Sequence, residues 1–383
     1  MILMQKDYPV METDLESYIR VIDNSKLPYS LKDYVETTNT KDFKKAIKDI
    51  SLVRDFFASR TLSISRDNAK ALLNVSNFPQ NLNTEQKLEI VKYCKGLSMS
   101  DSYWIKENDE NLEYKDISLR KCKLSEIMFD ISIGGKHIKI NKELTIPDLT
   151  TAGMSRKTWQ RKNGEIVLIK SDRTTGFINT NAEVQVSEML DKTNVDHVQY
   201  KLSQIGDIVV AECKCIANDD VSLVDAEEVK FWCFHQGIDF MEYIKENFPE
   251  DFAKMCVIDY IFANTDRHIN NWGFLIDNNT NNIIGMAPLY DHNQALVADI
   301  FNTNIDSLIY DPTNTTMLEA AIKYFPQSNL EINCDLPPKC KERLEKLEKS
   351  IIKEENELNS IIKNLNKINI GKNEPDLDKK KEI

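Results

Sequence analysis

The sequence predicts an α+β fold, and three observations carry that expectation. Segments with apolar residues at helical spacing alternate with short β-branched runs; clusters of Gly, Asn and Asp separate them; and a charged segment with a narrow apolar seam closes the chain. At 383 residues and 41% apolar content, the chain exceeds the roughly 100–200 residues of one domain and can bury more than one core. Four parts are expected: a mainly helical region over 1–110, then 111–217, 218–336, and a C-terminal helix with a charged tail over 337–383.

Taken in order, Phe43, Ile47, Ile50, Val53 and Phe57 recur at helical spacing from about Asp42 to Arg60, and Asn83-Thr84-Glu85-Gln86 opens a second helix. Met99 to Trp104 and Ser125 to Ile133 read as strands, with a turn at Gly134-Gly135. Thr150 to Trp159 is small, hydroxylic and basic, so it reads as a loop whose backbone N–H groups could face an anion. Asn163-Gly164 is a hairpin turn into the β-branched run Glu165 to Lys170. Asn181 to Leu190 has helical periodicity, Asp207 to Ile216 reads as a strand, and helices follow over Ala226 to Gln236 and Phe252 to Ala263. Phe274 to Asp277 and Ile283 to Tyr290 are two strands joined by an Asn-rich turn. After Pro337-Pro338, the residues Leu344, Leu347, Ile351, Leu358, Ile361, Leu365 and Ile368 form a seam, which fits a coiled coil or a helix lying along the body.

The stretch richest in chemistry is Asn264-Thr265-Asp266-Arg267-His268-Ile269-Asn270-Asn271-Trp272, with Tyr290-Asp291 beyond the hairpin. An Asp, an Asn five positions on and a second Asp after a hairpin is the order in which kinase-type phosphotransferases place catalytic and metal-binding groups. A carboxylate orients the acceptor hydroxyl, which suits Asp266; Mg²⁺ takes hard oxygen ligands, which suits Asn271 and Asp291. Each residue alone is an ordinary turn former, so the order singles them out. His268 is either an acid/base participant or a loop-shaping residue, and His292 either touches a phosphate or lies on the surface. Upstream, Lys170 is the strand lysine for nucleotide phosphates, and Glu183, or less favourably Glu188, is its ion-pair partner. Thr151, Ala152, Gly153, Met154, Ser155 and Lys157 make up the phosphate loop, and the backbone of Cys213 to Cys215 is placed at the adenine by order along the chain.

On Gly153 with Lys157, on Lys170, on Asn264-x-Asp266-x-His268-x-x-Asn271 and on Ala287-Pro288-Leu289-Tyr290-Asp291, the segment from about Leu149 to Asp291 resembles the HipA-like bacterial serine/threonine protein kinases, whose core is also similar to that of the phosphatidylinositol kinases. The resemblance implies a two-lobed kinase-like fold in which 111–217 is the first lobe and 218–336 the second. It implies ATP with Mg²⁺, a protein substrate, a regulatory or antitoxin protein partner, and autophosphorylation at Thr150, Thr151 or Ser155. Thr150 aligns with the family's regulatory Ser, so the residue identity has changed. A lipid or small-molecule kinase, or a non-catalytic regulator on the same fold, stays open beside the protein kinase.

Composition narrows the classes further. With only 11 Gly and no Gly-x-Gly-x-x-Gly loop, close kinship with eukaryotic-type kinases is excluded. A net charge of −12 disfavours direct binding to nucleic acid or an anionic membrane. Eight Cys without a Cys-x-x-Cys pair, and no apolar run of transmembrane length, fit a cytoplasmic chain with reduced thiols, and the His residues show no zinc spacing.

Overall fold

The computed structural model describes residues 1–39, 41–122, 124, 127–136, 147–151, 155–172 and 174–370. Its first 110 residues hold more helix than strand, and also an antiparallel sheet of which the sequence pattern announces only the strand that includes Tyr103 and Trp104. Strands β1 (Ile2–Gln5), β2 (Tyr8–Thr13) and β3 (Ile19–Val21) form a meander, and β4 (Tyr103–Lys106) joins the free edge of β1, giving the order β3-β2-β1-β4. Helices α1 (Phe43–Ser59), α2 (Ala69–Val75) and α3 (Thr84–Tyr93) lie between β3 and β4. Asp42 caps α1 by accepting from the Lys45 N–H, and Asn83 with Gln86 closes a capping box on α3. After the short α4 (Tyr114–Ile117), the run read as strand over Ser125 to Ile133 is instead a helix, α5 (Ile127–Ser132). Met128 and Ile131, three apart, bury one helical face against Leu72 and Leu73 of α2, and a short apolar run does not by itself separate the two periods.

The second sheet is two hairpins side by side, in the order β5-β6-β8-β7. β5 (Arg156–Lys162) and β6 (Glu165–Ser171) turn at Asn163-Gly164, whose φ values of 52° and 86° are those of the expected tight turn. α6 (Ile178–Leu190) crosses to β7 (Tyr200–Ile205) and β8 (Ile208–Lys214). Lys157 pairs with Lys170 and Leu168 with Cys213 in register, which puts these four side chains on one face. The opposite face buries Val167, Ile169, Ile208 and Val210 with Ile133.

A third sheet, β9 (Val221–Asp225), β10 (Gly273–Asp277) and β11 (Ile283–Met286), has β10 in the middle, and the expected Asn-rich hairpin is its β10–β11 turn. Helices α7 (Ala226–Gln236), α8 (Phe240–Asn247) and α9 (Pro249–Ile261) follow β9. Pro249, Glu250 and Asp251 start α9 favourably, and every residue from Phe252 to Ile261 is buried. Burial of each large apolar side chain there contributes about 1.5–3 kcal/mol, so α9 is a firm base for the loop that leaves it. α10 (Val297–Ile300), the pair β12 (Ile309–Tyr310) and β13 (Thr315–Thr316), and α11 (Met317–Ser328) complete the surround.

The last helix, α12 (Pro338–Ile370), packs its first turns on the same core through Cys340 and Leu347. Arg343 there donates to the Ile261 carbonyl at 2.7 Å and pairs with Asp299 at 2.6 Å. The seam residues from Leu358 onward lie outside the described side chains. The first 110 residues rest on the β10–β11 turn, where Asn281 donates to the carbonyls of Ser25 and Leu27 at 2.8 and 2.9 Å. Among the described residues no helix is long and apolar enough to cross a membrane.

Candidate active site

Lys170, next to last in β6, reaches into a buried polar cluster. Its Nζ donates to Glu183 Oε1 at 2.7 Å, to Asp291 Oδ1 at 3.1 Å and to the Tyr200 hydroxyl at 3.3 Å. Glu183 comes from the second turn of α6, Tyr200 opens β7, and Asp291 lies just past the β10–β11 hairpin, so four distant segments converge. Ser187, one helical turn after Glu183, accepts from the Tyr200 N–H at 2.9 Å and ties α6 to β7. Asp291 sits at φ 59°, a left-handed conformation that is costly outside glycine, and Asn293 donates to its Oδ1 at 2.9 Å.

The loop from Asn264 to Asn271 is shaped from below by one buried ion pair. Arg267 and Asp259, both fully buried, meet at 2.8 Å, and Asp259 also accepts from Asn264 at 2.8 Å and from the Tyr310 hydroxyl at 2.6 Å. Arg267 then donates to the carbonyls of Asn271 and Tyr290. One guanidinium thereby holds the Asp266–Asn271 loop against the residue that precedes Asp291, as its fork of donors allows. Asn271 donates from Nδ2 to the Asp266 carbonyl at 2.7 Å, leaving Oδ1 as its free acceptor.

The electrostatics follow from this crowding. Burial would lower Lys170, but Asp291 and Glu183 outweigh it and hold the ammonium charged well above its usual range. Burial would raise Asp291, but Lys170 and then Lys157 overcome it and hold the carboxyl at about 2. Glu183 is lifted by burial against the pull of Lys170. For Lys157 the balance falls the other way: burial first, and Lys170 next, outweigh Asp291 and push it down to about 8. Asp266 opens to the solvent side, and partial enclosure lifts its carboxyl, opposed by His268 and reinforced by Asp291.

Several expectations need correction against this geometry. Lys157 is not in a loop; it is the second residue of β5, buried opposite Lys170. Cys213 lies inside β8 between β6 and β7, and the Cys215 N–H donates to the Ile166 carbonyl at 3.0 Å, so that N–H is engaged within the sheet. Cys213 and Cys215 line a groove of about 750 Å³ with Lys214, Ile216, Leu275 and Pro288. The His268 Nδ1 accepts from the Asn270 N–H at 3.2 Å, and its main chain bonds Asp266 and Asn271, which is a loop-shaping arrangement. His292 is buried rather than at the surface, and burial with Arg267 beside it keeps the imidazole neutral. Thr151 Oγ1 accepts from Trp159 Nε1 at 2.9 Å and Ser155 is half-buried, while Ala152, Gly153 and Met154 lie outside the described residues. Tyr200, Asn293 and the bridging role of Arg267 were not read from the sequence. Only Arg267 carried a signal there, as the cation between Asp266 and His268.

The donor set fits magnesium. Among the described residues no group of three or more His, Cys, Asp and Glu side chains could hold a metal by itself. Mg²⁺ needs less, because it keeps waters and takes phosphate oxygens beside one or two protein groups. Asn271 Oδ1 and Asp291 Oδ2 carry no hydrogen bond from a described residue and supply a hard amide and carboxylate pair.

Residues 159–302 match the family model described as phosphatidylinositol 3- and 4-kinase, a stretch that contains Lys170, Glu183, Asp266, Asn271 and Asp291. No curated protein matches the chain. Among solved structures, the Helicobacter pylori proinflammatory kinase CtkA is 17% identical over 51% of this chain and 87% of its own, with a TM-score of 0.37. HipA of Shewanella oneidensis MR-1, from a toxin–antitoxin complex with HipB and operator DNA, is 12% identical over 91% of this chain and 88% of its own, with a TM-score of 0.52. The chain therefore has an α+β kinase-like fold, with a kinase-family domain in its middle.

Proposed function

We propose that the chain is an ATP- and Mg²⁺-dependent kinase that transfers the γ-phosphate to a Ser or Thr hydroxyl of a protein. The observation that carries this reading is Lys170, paired to both Glu183 and Asp291 beside the loop that presents Asp266 and Asn271. In this reading Lys170 and Lys157 hold the nucleotide phosphates, Glu183 steadies Lys170, and Asp266 orients the acceptor hydroxyl and takes its proton. Asn271 and Asp291 would hold Mg²⁺, which when bound neutralises charge on the phosphate oxygens. His268 keeps the loop in shape rather than moving a proton.

The same proposal divides the chain into a 1–110 region, lobes over 111–217 and 218–336, and a C-terminal helix, and includes a cytoplasmic location. Autophosphorylation at Thr150, Thr151 or Ser155 belongs to it, with the buried Thr150 requiring the segment to open first. So does a regulatory protein partner, of which HipB is the example in the Shewanella complex. A lipid acceptor is the second reading, favoured by the description of the matching family model.

The test offers labelled ATP and Mg²⁺ to the purified chain together with a mixture of Ser/Thr-containing proteins and, separately, phosphatidylinositol vesicles. Label on protein Ser or Thr supports the first reading and label on lipid alone the second. Label on neither, with no ATP bound, would leave a kinase-fold regulator without turnover.

A further inference from the structure

The start of β5 is held by two consecutive residues from the 1–110 region. Arg66, buried in the turn before α2, donates to the carbonyls of Asp148 at 3.0 Å and Thr151 at 3.5 Å, and also to that of Lys157. Asp67, the next residue, accepts from Arg156 at 2.6 and 3.4 Å. Residues 66 and 67 thus grip residues 157 and 156, one through the main chain and one through an ion pair. The grip is itself anchored. Arg66 pairs with Asp148 at 3.9 Å, Ser132 donates to Asp148 at 2.8 Å, and the Leu62 N–H bonds the Leu149 carbonyl at 2.8 Å.

This placement matters because of where Lys157 points. It shares a face with Lys170, and the Asp291 carboxyl feels both cations. A lysine ammonium is a point charge on a flexible stem, so its usefulness to a phosphate depends on where its backbone is fixed. A guanidinium that spans three carbonyls, and cannot lose its proton, fixes a backbone more firmly than ladder bonds at the first residues of an edge strand. A second cation near Lys157 also carries an electrostatic cost that packing alone does not call for.

We propose that Arg66 and Asp67 are positioning residues for Lys157, making the 1–110 region a working part of the site that receives the triphosphate of a nucleotide. The inference rests on the kinase reading above and takes it further, since that reading leaves the role of this region open.

The test titrates the full chain, wild type beside Asp67→Ala and Arg66→Lys, with a magnesium complex of a non-hydrolysable ATP analogue and, in parallel, with adenosine. Asp67 is partly exposed, so its variant leaves the core intact. The ATP analogue should bind about tenfold more weakly in Asp67→Ala, below the roughly hundredfold that a 1 Å misplacement can cost, while adenosine affinity stays within about twofold. Asp67→Glu should restore much of the loss. Equal falls for both ligands would show ordinary structural support and overturn the proposal, as would unchanged affinities in both variants. Wild type that binds neither ligand would overturn the kinase reading along with it.

Discussion

Lys170 and Asp291, 121 positions apart in the chain, meet at 3.1 Å across the cleft between β6 and the end of the β10–β11 hairpin. The contact joins the group assigned to the phosphates with the group assigned to the metal. Replacing Asp291 with Asn should therefore cut phosphate transfer by at least about a hundredfold, the lower range for loss of a transition-state contact in a buried site. Its pKa makes a second prediction. A carboxyl held at about 2, against an ordinary 3.8, stabilises the fold fully above the ordinary value and loses that contribution as pH falls through about 2. In acid unfolding followed by circular dichroism, wild type should lose this contribution as pH falls from about 4 toward 2, and Asp291→Asn should flatten the transition in that range. An unchanged acid transition would mean the pair is not formed in solution.

Lys157 gives the opposite pH signature. Burial and Lys170 push it from an ordinary 10.5 down to about 8, so the unfolded chain holds this proton more tightly, and the group favours folding increasingly as pH rises from about 8 to 10.5. Nucleotide binding needs the charged form and should weaken across the same window. The KM for ATP is expected to rise above pH 8 in wild type and to stay level to about pH 9 in Lys157→Arg, because Arg keeps its proton. Identical profiles in the two proteins would remove Lys157 from the phosphate site.

The Arg267–Asp259 pair is wholly buried and supports the Asp266–Asn271 loop from beneath. Taking away one partner leaves an uncompensated charge, so Arg267→Met should lose about 3–5 kcal/mol in urea unfolding. A loss under about 1 kcal/mol would show the loop is held by other contacts.

Much of this arrangement was legible in the sequence, for a local reason. Asp266, Asn271 and Asp291 lie on one continuous loop–hairpin unit, and Lys170 ends a β-branched run, so spacing and turn residues alone align them. What escaped reading depends on distant partners. β1 is four residues long and pairs with β4 through Ile2 and Lys106, which no window of sequence connects. Lys157 reads in sequence as part of a hydroxylic and basic phosphate loop, because its buried partner strand and Arg66 are set by tertiary packing. Tyr200 carried no signal at all, since a tyrosine opening a strand is usual, and only the fold brings its hydroxyl to Lys170.

Tyr200 is accordingly worth a direct substitution. Its hydroxyl accepts from Lys170 at 3.3 Å, and its ring lies 5.1 Å from the same ammonium. Tyr200→Phe keeps the ring and should cost about 0.5–1.5 kcal/mol in stability, the usual net worth of one hydrogen bond. It should also lower kcat/KM for ATP several-fold by loosening Lys170. A stability loss without any change in kcat/KM would make Tyr200 a packing residue only.

Phosphoryl transfer directed by Asp266 is tested by γ-labelled ATP turnover with Mg²⁺ in wild type beside Asp266→Asn, both checked for an unchanged melting profile. Wild type should place label on protein Ser or Thr and the variant at least about a hundredfold less, as expected for loss of a general base. Equal labelling by the two proteins would contradict it.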